Sequence, residues 1–84
     1  MMPRFAKLPT KIVFPFGYTI TVRQIPEEAW TEPDADSVWY SEHRLIIIRK
    51  SLNPMRKRYL LTHEMAHAWI DWQHYCLDRG IGGN

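Results

Sequence analysis

Close to a third of this 84-residue chain reads as a single helix. The pattern opens at Asn53-Pro54, where Asn is a good N-cap and Pro is tolerated in the first turn. It runs to about Asp78 and ends before Gly80. At about 100° per residue, Leu61, Met65, Ala68, Trp69, Trp72 and Cys76 form an apolar stripe that asks for a covering layer. His63, Glu64, His67, Asp71, His74 and Asp78 form a second, polar stripe on roughly the opposite side. A helix with two such faces restricts the fold to one in which other elements pack on one side only.

The residues before the helix read as short strands. Lys11 to Phe14 is β-like, Pro15-Phe16-Gly17 signals a turn, and Tyr18 to Arg23 is β-branched and aromatic; these two runs are expected to form a hairpin. Pro26 to Asp36 reads as a loop with one helical turn at Glu27-Glu28-Ala29-Trp30, because Pro33, Asp34 and Asp36 oppose anything longer. Ser37 to Tyr40 and Arg44 to Arg49 are two further strands, joined closely enough for a second hairpin. The run Ile46-Ile47-Ile48 marks a sheet interior. The expected fold is α+β: a small antiparallel or mixed sheet packed on one long C-terminal helix, in one domain spanning residues 1–84.

The totals agree with that size. The chain is 45% hydrophobic and 13% aromatic, enough to build a small core, although a domain this small gains from a bound metal. A net charge of +2 is too mild to argue for nucleic acid. Cys76 is the single cysteine, so no internal disulfide forms, which suits a reducing cytoplasm. Met1 to Pro9 lacks the apolar core of a signal peptide, and Leu45 to Ile48 is too short to cross a bilayer. The end, Gly80 to Asn84, reads as a loose tail.

Within the helix, residues 63–67 read His-Glu-Met-Ala-His. Two His four residues apart lie one turn apart on the same face, so both imidazoles reach one Zn²⁺ with no special backbone geometry. Glu64 then sits beside the metal rather than on it, placed to take a proton from zinc-bound water and pass it to a leaving amine. The third ligand stays open. A regular helix carries His74 about 10 Å past His67, too far for the same ion, and Asp71 suits a hydrogen bond to His67 better than the metal. Asp34 or Asp36 from the loop, His43, Asp78 and a partner chain are the other sources. Arg49-Lys50 and Arg56-Lys57-Arg58 set positive charge at the start of the helix, against its dipole, so packing or a partner must compensate. Trp30, beside the loop, is a candidate partner contact, and Cys76 a buried thiol.

The stretch Tyr59 to Trp69 resembles the active-site helix of zincin metallopeptidases. The order of an Ile-rich strand, a loop with basic residues and the motif helix is similar to the ImmA/IrrE-like small zincins. Leu60-Leu61-Thr62-His63-Glu64-Met65-Ala66-His67-Ala68 is also similar to SprT-like proteases, which act on DNA-associated proteins. The resemblance covers roughly residues 37 to 72. It implies a zinc metallopeptidase, a hydrolase of peptide bonds in a protein or peptide substrate, with His63 and His67 as ligands and Glu64 as base. The alternative is a degenerate zincin with structural or absent metal, used as a protein- or DNA-binding module. A third is a zinc site shared between chains in a homo-oligomer.

Overall fold

The computed structural model describes residues 7–80. Its elements are β1 (Lys11–Phe14), β2 (Tyr18–Ile25), β3 (Ser37–Tyr40), β4 (Leu45–Arg49) and α1 (Pro54–Asp78), with 3-10 turns at Pro15–Gly17 and Glu27–Ala29. The architecture is α+β, with a four-stranded mixed sheet in the order β1-β2-β4-β3 covered on one face by α1. Both expected hairpins form: β1 pairs antiparallel with β2, and β3 with β4. The two hairpins join through β2 and β4, which run parallel with Val22 opposite Ile46 and Gln24 opposite Ile48. The chain thus leaves β2, crosses to the outer edge as β3, and turns back to lay β4 into the gap. The tail residues 81–84 and the first six residues lie outside the described range.

Alternation along the strands sets which side chains meet the helix. Ile20, Val22, Ile46 and Ile48 point to α1 and form the core with Phe14, Tyr18, Leu61 and Ala68. Ile20, Ile46 and Ile48 are the largest fully buried side chains, so the Ile run fills the middle of the sheet as its composition requires. Aromatic rings close one side of this core: Phe14 meets Trp69 and Trp72 edge-on, with centroids 5.2 and 6.1 Å away. Trp72 Nε1 donates to Pro15 O at 3.0 Å, tying the helix to the β1–β2 turn, where Phe16 takes the left-handed conformation at φ 68°.

The helix ends follow local chemistry. Asn53 Oδ1 accepts from Arg56 N at 2.8 Å, an N-cap satisfying one of the free amides of the first turn. Gly80 at φ 68° stands just past the last turn, where a left-handed residue without Cβ closes a helix. The positive charge at the start of the helix is compensated inside the chain. Asp36 accepts from Arg49 at 2.8 Å and lies 3.6 Å from the Arg56 guanidinium. Arg49 Nε also lies 3.3 Å from Glu27 Oε1, without hydrogen-bond alignment.

Two differences from the sequence expectation concern the helix faces. Glu64 does not lie opposite the core: it is buried, with Leu60, Leu61, Ala68 and Cys76, against the sheet. Trp69, expected in the core, is 44% exposed. The face on the sheet is rotated from the expected stripe toward Glu64 and Asp71, because polar side chains of β3 meet those two carboxylates.

Ile48→Ala should lower the unfolding free energy by about 2–5 kcal/mol, the usual range for emptying such a site, read as a drop in denaturant midpoint at constant slope. Tyr18 gives a pH dependence. Burial raises its phenol above the ordinary value of 10.0, with Arg44, stacked 4.2 Å from its ring, pulling the other way. A raised folded pKa means that the stability is fully present below the unfolded value and is lost as pH climbs through the folded one. The melting temperature should therefore fall above about pH 10, and Tyr18→Phe should fall less steeply over the same range.

Candidate metal centre

The motif lies in the middle of α1, on unbroken helix, so His63 and His67 stand one turn apart by backbone geometry alone. Both side chains are exposed. Two imidazoles on one tetrahedral zinc, at about 2.0–2.1 Å each, bring their ring centroids to about 5 Å of one another. The centroids of His63 and His67 are 4.9 Å apart, with the rings inclined at 77°. The spacing of the two rings is thus within the range that one shared ion would require. Tyr59 stacks beside His63, one further turn back, with centroids 6.3 Å apart.

Glu64 is held differently. Its side chain turns toward β3, where Ser37 Oγ donates to Oε2 at 2.6 Å; both residues are buried. A buried carboxylate needs such a donor, because leaving it without one costs far more than the bond contributes. Oε1 has no hydrogen-bond partner among the described residues. Two residues along β3, Trp39 Nε1 donates at 2.6 Å to Asp71 Oδ2, two helical turns beyond Glu64. Alternate side chains of one strand thus engage carboxylates on one side of the helix.

Glu64 and His63 line a common cleft of about 350 Å³ with Pro33, Asp34, Ala35, Asp36, Ser37, Arg56 and Leu60. The cleft lies between the 26–36 loop and the N-terminal half of α1. Trp30 shapes that loop: its Nε1 donates to Glu32 O at 2.6 Å and to Ala35 O at 3.0 Å. Trp30 is accordingly a loop anchor, with its ring 5.4 Å from the Arg49 guanidinium.

The proposed further ligands divide into three groups. Asp34 and Asp36 line the cleft with His63, and Asp36 is already engaged by Arg49 and Arg56. Asp71, His74 and Asp78 line a different cleft further down the helix, beside Tyr18, Arg44 and Tyr75. His43 is exposed in the β3–β4 turn. Among the described residues, no three His, Cys, Asp or Glu side chains come close enough together to hold a metal ion. The donor set present is therefore two imidazoles with an adjacent carboxylate. Ser37 and Trp39, expected only as strand residues, are the donors that fix the two carboxylates. The available signal was a pair of side-chain donors at alternate positions of one strand.

Comparison with protein families, with curated proteins and with solved structures finds no match for this chain. Among the described residues, no helix is long and apolar enough to cross a membrane.

Ser37→Ala should lower stability by about 1–3 kcal/mol, because the Glu64 carboxylate loses its buried donor. The same substitution beside Glu64→Leu should cost much less. A double-mutant cycle by urea unfolding measures the difference, and a coupling near zero would show that the bond contributes nothing.

Proposed function

We propose that this chain is a zinc-dependent metallopeptidase domain acting on a protein or peptide substrate. The observation that carries the proposal is the pairing of His63 and His67 on one helix face, ring centroids 4.9 Å apart, with the intervening Glu64 fixed by Ser37 in the adjoining cleft. His63 and His67 would hold the metal. When bound, zinc supplies Lewis-acid polarisation of the scissile carbonyl and acidifies a water.

The remaining steps belong to the chain's own groups. Among the described residues Glu64 Oε1 has no hydrogen-bond partner, which leaves it to accept a proton from the attacking water and return it to the leaving amine. Ser37 keeps that carboxylate from swinging, since its hydroxyl holds Oε2. The substrate would lie along β3, the outer strand of the sheet, whose free edge runs beside α1 and can accept an extended peptide by strand addition. A protein or peptide is favoured over nucleic acid because Arg49 and Arg56 are engaged by Asp36 and Lys57 Nζ by Gln24 Oε1. The buried thiol of Cys76 suits a cytoplasmic setting.

The test is metal analysis paired with cleavage of an unfolded protein substrate. Wild type should hold zinc in stoichiometric amount, and His63→Ala and His67→Ala should lose it. Glu64→Gln should keep the metal and lose about 10²–10⁴-fold in rate. Full cleavage by that variant removes Glu64 from the base role. A protein that binds no zinc yet captures a partner would be the degenerate binding module.

A further inference from the structure

Ion pairs divide the charges round the Glu64 cleft into two groups. Glu27 and Asp36 are matched by Arg49 and Arg56, two carboxylates against two guanidiniums, with Asp36 within 3.6 Å of both arginines. This network carries no net charge, and it holds the one arginine that lines the cleft. Asp34 stands outside it. Its side chain is exposed on the cleft wall and has no hydrogen-bond or ion-pair partner among the described residues. Glu64 faces the same space: the residue is only 7% exposed, and its Oε1 has no partner among the described residues. The unmatched charge of the cleft is therefore negative, in a chain whose net charge is +2. Apolar surface lies beside it, because Pro33, Ala35 and Leu60 line the cleft with Asp34.

We propose that this cleft takes a lysine or arginine side chain of the substrate, with Asp34 as the residue that selects it. The inference deepens the peptidase reading and rests on its placing of a peptide beside Glu64. A basic side chain matches the cleft at both ends. Its methylene stem packs along apolar surface while the charged head stays with water and a carboxylate. Here the stem covers Pro33, Ala35 and Leu60, and the head meets Asp34. A cleft of about 350 Å³ has room for one such side chain. An acidic side chain meets the reverse: Asp34 repels it, and Arg56 is already held by Asp36. Asp34 touches the substrate but not the reacting atoms, so it acts on binding and not on the chemical step. Ion pairs at exposed positions are modest and screened by salt, so the selection is a matter of a few fold.

Fluorescence anisotropy with two blocked, dye-labelled peptides tests it: Ala-Ala-Lys-Ala-Ala and the same peptide with Glu in place of Lys. The Glu64→Gln variant of the full chain, with zinc present, keeps both intact. It should bind the Lys peptide at least about threefold more tightly at low salt. The positive net charge of the molecule favours the Glu peptide, so that preference reports a local acid. Adding Asp34→Asn should abolish it and Asp34→Lys should reverse it. Glu42→Gln, which removes an exposed acid from the other cleft, should leave it unchanged. Zinc content should be the same in all of these variants. In wild type the preference should appear in KM, with kcat unaltered by Asp34→Asn. Equal affinity for the two peptides overturns the inference, as does a preference that survives Asp34→Asn or falls equally with Glu42→Gln. Zinc lost in Asp34→Asn also overturns it and gives the residue to the metal. Selective binding through Asp34 without cleavage by wild type upholds the inference and removes the peptidase reading. Cleavage of both peptides with one KM does the reverse.

Discussion

Two hydrogen bonds between the edge strand and the helix set the geometry of everything near the motif. Ser37 and Trp39 reach from alternate positions of β3 to Glu64 and Asp71, which lie two turns apart on α1. Apolar packing of Ile20, Ile46 and Ile48 drives the helix onto the sheet but leaves its rotation loosely specified, since apolar contact is non-directional. The carboxylates have directional needs, and a buried one without a donor is costly. They therefore choose the rotation. That choice turns Glu64 inward, leaves His63 and His67 at the surface, and moves Trp69 partly into solvent.

The same arrangement explains how a residue can serve both the core and the candidate chemistry. Glu64 gives one oxygen to Ser37, and among the described residues the other has no partner, so the bond that orients the carboxylate does not consume it. The charge at the start of the helix is handled with similar economy. Asp36, in the loop that walls the cleft, holds both Arg49 and Arg56 and so ties the loop to the end of the sheet and to the first turn of α1. The compensation for an unfavourable helix-terminus charge and the wall of the cleft are one feature.

Much of this was legible in the sequence because it is local. The Asn53 cap, the Gly80 stop, the strands expected at residues 11–14, 18–23 and 44–49, and both hairpins follow from residue types within a few positions of each other. The pairing of His63 with His67 needs only a regular helix. The parallel pairing of β2 with β4 left no local mark, because a half-buried strand shows the same alternation whichever way its neighbour runs. The inward turn of Glu64 was hidden for a related reason: its donor is Ser37, and a serine at the start of a strand reads as surface. Trp69 was misplaced because it sits at the margin of the apolar stripe, where a small rotation of the helix decides between core and solvent.

The order of strands has a consequence for how the molecule assembles. Each hairpin is built from neighbouring sequence and closes a short loop, whereas β2 and β4 meet only after the whole stretch through β3 has been drawn in. The 26–36 segment bridges the two hairpins across the end of β4, and it also walls the cleft. Its backbone has a fixed place only once the hairpins have docked. The cleft is thus absent from either half of the sheet and forms in the same cooperative step as the fold. Partial unfolding at the β2–β4 seam would dissolve the cleft while leaving the His63–His67 pair on its helix.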